Sequence, residues 1–356
     1  MHEDSGPAAV RDLDQCRRAF ERWLTAQQPA GENVVVSPAS ALSGGYSGDL
    51  LAFDATWTVR GERQQQNLVV RFEPATHNQV FLDTNFHEQY RVIKALGART
   101  EVRVPRVIGY EADPSVLGSR FYVMARMPGT PGLIGGEWID AVERHGRDSM
   151  WRMWWHGLEA MAVLHRVDAH AVELGFLDQP DRGDDPIAQQ LHYYREYYAW
   201  VAHGQRHEVI EYALDWLEAN NPRVRDIGVQ WGDARRGNQL FSPDLRCTAI
   251  LDLEMVTLGP AEADLGWWLY TSEIEMREPL GEHTPSAEET VRRYGQLLGR
   301  ELSEIDYFVV FAAMRVAVLM IKLQELRGGH VDGHERAAGD AKLAQVLRAL
   351  TNAPAT

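Results

Sequence analysis

WGDARRGN, residues 231–238, together with a second acid at residue 252, is the most informative part of this sequence. Asp233 and Asn238 stand five residues apart in a glycine-containing loop, and Asp252 ends the short apolar run that follows. Phosphoryl transfer uses one acid for the acceptor hydroxyl, and an amide and a second acid for the metal ions that hold the phosphates. The order acid, amide, acid therefore predicts a phosphoryl-transfer site.

The residue types suit the parts of that reaction. A carboxylate beside the acceptor can orient its hydroxyl and take its proton late in the transition state, which is the role predicted for Asp233. The amide oxygen of Asn238 and the carboxylate of Asp252 are hard oxygen ligands that suit Mg²⁺. An Asp after a strand is also a common turn residue, so the prediction depends on all three residues together.

The composition limits the class of protein. A chain of 356 residues, 45% hydrophobic and 24% charged, is typical of a globular protein, and its length favours two domains or lobes. The formal net charge of −15 argues against a nucleic-acid partner, because binding to phosphate strands needs a basic surplus. The two cysteines lie far apart and indicate neither a disulfide framework nor a zinc site.

The sequence shows no targeting or membrane segment. The N-terminus is acidic and no apolar signal region follows it. The longest apolar run, residues 307–321, is interrupted by Arg315 and is too short to cross a bilayer. We expect a cytoplasmic protein with no membrane partner; the oligomeric state stays open.

Hydrophobic spacing divides the chain into a strand-rich part and a helical part. The first part predicts helices at residues 8–27 and 86–96, and strands at 34–36, 50–59, 67–72, 104–110 and 120–127. The second part predicts helices at residues 148–164, 187–202, 209–218, 261–275, 287–299, 304–326 and 335–350. This order predicts an α+β, protein-kinase-like two-lobe fold. The predicted lobes are residues 1–127, with an antiparallel sheet, and residues 128–356, mainly helical.

The motif block resembles the signature of the aminoglycoside phosphotransferase family. Within it, the chain looks most like the kinase-like domains that are fused to some acyl-CoA dehydrogenases. The resemblance is carried by residues 231–238, by ILDLE at 250–254 and by GPAEADL at 259–265. Weaker similarity extends it over roughly residues 40–350. It implies Mg²⁺-dependent transfer of the γ-phosphate of ATP or GTP to a hydroxyl of a small molecule, an aminoglycoside or another metabolite.

Residue by residue, the resemblance makes Asp233 the catalytic base and Asn238 and Asp252 the metal ligands. Asp264 would be a structural acid that holds the loop. The family usually has His two residues before the catalytic Asp, but this chain has Trp231, which can shape the loop only by packing and through one N–H donor. The residues that would contact the nucleotide are Arg71, Glu88, Gly44, Gly45, Ser47, Met124 and Arg126.

Three features support that nucleotide set. Arg71 ends an apolar strand where many kinases have Lys, and a guanidinium can hold phosphate through two hydrogen bonds. Glu88, on the helix that follows, is its natural ion-pair partner. The Gly-rich run 43–48 could bring backbone N–H groups to the phosphates, although an ordinary turn is a second interpretation. The segment 124–127 occupies the place of an inter-lobe hinge that would bind the adenine.

Two other interpretations remain. Trp231 and Arg71 also fit a nucleotide-binding pseudokinase or regulatory module without turnover. A protein kinase is disfavoured, because Asp252-Leu253-Glu254 stands where an Asp-Phe-Gly would be expected and no Ala-Pro-Glu follows. Arg235 and Arg236 could contact phosphate or acceptor, or belong to a solvated loop.

Overall fold

The computed structural model describes residues 12–28, 31–42, 50–132, 144, 146, 148–222, 224, 226–275, 284–327 and 333–351. Gly44, Gly45 and Ser47, predicted to contact the nucleotide, lie outside these residues. The chain divides into two compact units, residues 1–79 with 106–126, and residues 80–105 with 127–356. Residues 80–105 belong to the second unit in the structure, whereas the sequence predicts them within the first lobe. The lobe boundaries therefore stay a prediction.

The first unit is an antiparallel sheet with one helix packed on it. Its elements are α1 (Leu13–Gln27), β1 (Glu32–Val36), β2 (Ser40–Ala41), β3 (Leu50–Val59), β4 (Glu62–Phe72), β5 (Val107–Glu111) and β6 (Phe121–Ala125). The strand order is β1-β3-β4-β6-β5, and β2 pairs with β3. All of these neighbours run antiparallel, so this part of the fold agrees with the predicted sheet.

Helix α1 supplies the cover for one face of this sheet. The Asp12 carboxylate caps the helix by accepting from the amides of Asp14 and Gln15. The first residues of the predicted helix, 8–11, lie outside the described residues. Phe20 is buried and stacks on Phe53 of β3, with 4.6 Å between ring centroids. Trp23 packs in the same core and its indole N–H donates to the Glu111 carboxylate at 2.9 Å.

The long hairpin β3–β4 turns at a two-residue loop. Arg60 and Gly61 both have positive φ, 51° and 83°, which is the geometry of the tight turns that match strand twist. The pairing runs without interruption from Val59 and Glu62 to Leu50 and Arg71. The predicted strand at 67–72 covers only the buried half of β4, because residues near the turn are polar and exposed and give no apolar pattern.

The second unit is mainly helical. Its elements are α2 (Phe86–Arg99), β7 (Thr130–Pro131), α3 (Ser149–His165), α4 (Pro186–Ala202), α5 (Glu208–Ala219), β8 (Ile227–Gln230), β9 (Gln239–Phe241), β10 (Cys247–Ile250), β11 (Thr257–Pro260), α6 (Ala261–Glu275), α7 (Ala287–Leu298), α8 (Ile305–Leu326) and α9 (Gly333–Thr351). The α+β class predicted from the sequence is confirmed. None of the helices in the described ranges is long and apolar enough to cross a membrane.

Two small antiparallel sheets carry the motif residues in this unit. One has the order β10-β9-β7 and the other pairs β11 with β8. The loop between β8 and β9 holds residues 231–238, and Asp252 follows β10. The sheets therefore bring the two halves of the sequence motif to one place within the second unit.

Candidate active site

The Asp233 carboxylate is oriented by three donors. The Trp267 indole Nε1 donates to Oδ1 at 2.9 Å, and the Asn238 amide Nδ2 donates to Oδ2 at 2.6 Å. Arg235 Nε lies 3.1 Å from Oδ1. The side chain keeps 14% of its surface exposed. The direction of the Asp233 carboxylate is thus fixed by two neutral donors and one charged donor, and a ligand can still reach it.

Asp264, in the first turn of α6, holds the backbone of this loop. Its completely buried carboxylate accepts from the Trp231 amide at 2.6 Å and from the Gly232 amide at 2.9 Å. His165 Nε2 is 2.8 Å from the same carboxylate, and the Tyr294 hydroxyl is 2.7 Å from His165 Nδ1. Burial raises the pKa of Tyr294, so the phenol keeps its proton and donates to Nδ1. His165 then donates from Nε2, and Asp264 has the structural role that the resemblance implied.

Trp231 stands where the family usually has His, and it holds the loop by packing and through its indole N–H. The ring is completely buried. Its Nε1 donates to the Leu251 carbonyl at 2.9 Å and lies 3.2 Å from the Asp252 carbonyl. A single indole therefore joins the start of the loop 231–238 to the segment that carries Asp252, by packing and through one N–H.

Gly232 occupies a position that only glycine fits. Its φ is +90°, and a Cβ there would lie 2.1 Å from the Met255 carbonyl oxygen. Its own carbonyl accepts from Arg315 Nη2 at 2.7 Å. The close approach to residue 255 and the arginine bond fix the backbone immediately before Asp233.

The amide of Asn238 is oriented as a metal ligand requires. Its Nδ2 faces the Asp233 carboxylate, because a carboxylate only accepts, so Oδ1 points elsewhere and accepts no hydrogen bond from the described residues. The Leu251 amide donates to the Asn238 carbonyl at 2.9 Å, which ties the loop to the residue before Asp252. Asp252 has φ +58°, an uncommon value for a residue other than glycine that is often found at functional sites.

These residues fit Mg²⁺ that arrives with a nucleotide. Among the described residues, no group of three or more His, Cys, Asp and Glu side chains forms a dedicated metal cage. Mg²⁺ is commonly held by one or two protein oxygens, with phosphates and waters completing the octahedron. One amide oxygen and one carboxylate are therefore a sufficient protein contribution.

The predicted phosphate contacts lie on separate units. Arg71 is half-buried on β4, opposite Tyr122 of β6 and Leu50 of β3. Its neighbours Val70 and Phe72 point into the core under α1, so Arg71 projects from the other sheet face. Glu88 is half-buried in the first turn of α2. Each position suits its predicted role, and the pairing of the two stays a prediction.

The predicted hinge residues Met124 and Arg126 lie at the end of β6. The Arg126 amide donates to the Asn67 carbonyl at 2.8 Å, and the Ala125 amide donates to the Arg106 carbonyl at 2.8 Å. Those two donors are committed to neighbouring strand segments. A nucleobase in this place would have to use other backbone groups of the segment.

The two arginines of the loop have different environments. Arg235 is paired with Asp233, as given above. Arg236 is completely buried, with its guanidinium carbon 5.5 Å from the centroid of a Trp154 ring. The solvated-loop interpretation is therefore wrong for Arg236.

Two residues of this site were not identified from the sequence. One is Trp267, which donates to Asp233 although it lies outside the motif block in sequence. Arg315 was noted only as an interruption of an apolar helix, yet it is 2% exposed and lies with its guanidinium carbon 4.3 Å from the Trp267 ring centroid. An isolated arginine in an otherwise apolar helix was the signal that could have pointed to it, because a buried charge needs specific partners.

Comparison with known proteins shows the family of the chain and its fold. The sequence model of a family described as "Phosphotransferase enzyme family" matches residues 51–300. A curated relative, the probable acyl-CoA dehydrogenase IBR3 of Arabidopsis thaliana, is 30% identical over 186 residues. That match covers 50% of this chain and 22% of the relative, so the chain corresponds to a minor part of that longer protein.

Solved structures share the fold. A Ralstonia eutropha protein classed with the aminoglycoside phosphotransferases superposes with a TM-score of 0.69 at 20% identity, covering 92% of this chain and 96% of that one. A variant of aminoglycoside phosphotransferase APH(4)-Ia, in a complex with ADP and hygromycin B, gives a TM-score of 0.53 at 15% identity, with 94% and 99% coverage. The kinase-like two-lobe fold predicted from the sequence is confirmed.

Proposed function

Because the chain belongs to the family described as the phosphotransferase enzyme family, we propose that it moves the γ-phosphoryl group of ATP or GTP to a hydroxyl of a small-molecule acceptor. The observation that carries the proposal is the Asp233 carboxylate, which three donors aim and which stays partly exposed. Asn238 and Asp252 would hold Mg²⁺, and a cytoplasmic location would supply both metal and nucleotide.

The proposed reaction needs little covalent help from the protein. The acceptor oxygen forms a bond to the γ-phosphorus while the bond from that phosphorus to the bridging oxygen breaks, and the nucleoside diphosphate leaves. The acceptor proton passes to a carboxylate oxygen of Asp233. Asn238 and Asp252 would hold Mg²⁺, which would supply neutralisation of the phosphate charge. The Asp264 network keeps the loop in place, so that Asp233 needs no reorganisation when the acceptor binds.

The proposed nucleotide contacts are those that the sequence predicts. Arg71 would contact the phosphates with Glu88 as its partner, Gly44, Gly45 and Ser47 would cover them, and the segment with Met124 and Arg126 would meet the base. The ADP complex of the APH(4)-Ia variant supports a purine nucleotide as co-substrate. The same complex also contains hygromycin B. For this chain the proposed acceptor is a hydroxyl compound, an aminoglycoside or another metabolite.

The decisive experiment is a screen of metabolites and aminoglycosides for nucleotide consumption in the presence of Mg²⁺. Mass spectrometry of the product should show one added phosphoryl group on the acceptor. ATP and GTP are compared in parallel. Nucleotide binding without transfer to any acceptor would favour the alternative, a pseudokinase or regulatory module. Trp231 offers that alternative little support, because the indole maintains the loop through its own hydrogen bonds.

Replacement of Trp267 by Phe should lower turnover about tenfold. The indole N–H donates directly to Asp233, and a hydrogen bond to a charged group contributes about 1.5–3 kcal/mol. The Kd for Mg²⁺–nucleotide should stay nearly constant, because no metal ligand is removed. Steady-state turnover and nucleotide titration measure the two effects.

Trp268→Phe is the matched control for this prediction. Trp268 is the next residue, is completely buried, and its indole N–H has no hydrogen-bond partner among the described residues. Both variants lose similar volume and stability, but only Trp267→Phe removes a donor from Asp233. Equal losses of turnover in the two variants would show that Trp267 acts through packing alone.

Replacement of Arg71 by Ala should weaken nucleotide binding and turnover, and Arg71→Lys should give an intermediate result because it keeps the charge but loses the two-pronged geometry. Glu88→Ala acts through the same cation, so its loss and that of Arg71→Ala should not be additive. A double-mutant cycle measures the coupling. Arg63→Ala, an exposed arginine on the same strand, is the control. Fully additive losses would mean that another cation serves the phosphates.

A further inference from the structure

A recess lies beside the catalytic loop within the second unit. Its volume is about 70 Å³, which gives room for a small ligand group and several waters. Residues of α4, of the segment before α2, of the segment after Asp252 and of α8 line it. The residues that carry the inference are Arg315, Tyr194, Tyr193, Glu254, Asp83 and Arg182.

The guanidinium of Arg315 lines this recess, and one of its nitrogens has no hydrogen-bond acceptor among the described residues. Its Nε donates to the Tyr194 hydroxyl at 2.9 Å, and its Nη2 donates to the Gly232 carbonyl at 2.7 Å. Its Nη1 is buried and has no hydrogen-bond partner among the described residues. Leaving a buried charged donor without an acceptor is costly. We therefore expect Nη1 of Arg315 to donate a hydrogen bond to an acceptor atom of a ligand.

Tyr194 adds a second donor at the same place. Its hydroxyl oxygen accepts from Arg315, and its hydroxyl hydrogen reaches no acceptor in the part of the chain that the structure describes. The guanidinium Nη1 and the Tyr194 O–H thus both lack acceptors and both belong to residues of one recess. Two such donors match a group with two acceptor oxygens.

Among the cationic side chains that line the recess, Arg315 is the one with no carboxylate partner in the described residues. Arg182 already pairs with Asp83 at 3.0 Å and with Glu196 at 3.4 Å. Burial raises the pKa of Tyr193, so this phenol stays neutral. Glu254 also lines the recess and would weaken the binding of an anion. That opposition provides an independent test.

We propose that this recess binds the carboxylate of the acceptor, so that the acceptors are small hydroxylated carboxylic acids. The inference rests on the proposed function and specifies its substrate class. Arg315 contacts the carbonyl of the residue that precedes Asp233, so a carboxylate on Nη1 places the rest of the acceptor beside the catalytic loop. The carboxylate is bound and not changed; the hydroxyl of the same molecule receives the phosphoryl group.

The test compares acids with their methyl esters. Glycerate, 3-hydroxybutanoate and serine are titrated calorimetrically into the full chain with Mg²⁺ and a non-hydrolysable ATP analogue. The acid that binds best should bind at least about tenfold more tightly than its ester, which is the effect of one charge-assisted hydrogen bond. Equal binding of acid and ester, or no binding of any of the acids, would overturn the inference.

Variants assign the preference to the recess. Arg315→Lys should reduce the ratio of acid to ester affinity, and Tyr194→Phe should reduce it less, because only one neutral donor is lost. Glu254→Gln should raise the ratio, since it removes the opposing charge. Tyr198→Phe, on the same helix but with its hydroxyl bonded to Glu211, should leave the ratio unchanged. An unchanged ratio in both Arg315→Lys and Glu254→Gln would place the carboxylate elsewhere and overturn the inference.

The activity screen with ATP and GTP, run on the same acids, on their esters and on neutral alcohols beside these titrations, separates this inference from the proposed function. Phosphorylation of neutral alcohols with no preference for acids would retain the kinase and refute the carboxylate site. Binding of acids that depends on Arg315, without phosphoryl transfer, would retain the site and refute the kinase.

Discussion

Asp233→Asn is expected to lower turnover by about two orders of magnitude or more, the scale of lost acid–base and positioning help. The amide cannot take the acceptor proton. It also offers one acceptor oxygen where Trp267, Asn238 and Arg235 now donate to two. The fold and the binding of Mg²⁺–nucleotide should remain nearly intact, because Asp264 and Trp231 hold the loop independently. Turnover and nucleotide titration measure both parts.

Asp244→Asn is the control for this variant. Asp244 lies in the turn between β9 and β10 and its side chain is 66% exposed, so the variant makes the same chemical change outside the site. It should turn over like the unmodified protein. Turnover of Asp233→Asn close to that of the control would remove Asp233 from the role of base.

Asn238→Ala and Asp252→Ala are expected to abolish most of the Mg²⁺ dependence of nucleotide binding. Each variant removes one oxygen ligand from a cation that binds few protein groups. Nucleotide affinity is measured by titration with and without Mg²⁺, so that the loss is seen as a smaller ratio of the two constants. Asn238→Ala should also lower turnover beyond its effect on binding, because Nδ2 no longer orients Asp233.

Asn220→Ala provides the control for the amide. Asn220 is exposed at the end of α5, where its side chain only caps the Trp216 carbonyl. If metal dependence in Asn238→Ala and Asp252→Ala equals that of this control, the metal ligands lie elsewhere in the chain.

Much of the architecture could be predicted from local sequence. Apolar residues at helical or alternating spacing report which face of an element is buried, so α4, α5, α7 and α8 were placed to within a few residues. The exposed end of β4 escaped prediction, because its polar residues Arg63, Gln64 and Gln65 are paired by the hairpin and not by burial. Hydrogen bonding between backbone groups does not depend on side-chain hydrophobicity, so the hydrophobic pattern does not reveal it.

The kind of chemistry proposed for the site follows from residue types and their spacing alone. The spacing of Asp233, Asn238 and Asp252 restricts these side chains to one loop and the end of one strand, whatever surrounds them. Residue type sets whether a group can take a proton or bind a hard cation. The motif therefore predicted the kind of reaction without any knowledge of the packing.

Which side chains orient the groups of this motif depends on the tertiary structure. The contacts of Trp267 with Asp233, of Arg315 with Gly232 and of His165 with Asp264 span 34, 83 and 99 residues of sequence. Aromatic or charged residues at such separations have no periodic signature. The sequence does not show which acceptor the Trp231 indole reaches; in the folded chain it is the Leu251 carbonyl. Hydrogen bonds act over about 3 Å in space, and chain folding, not sequence separation, determines which donors come that close.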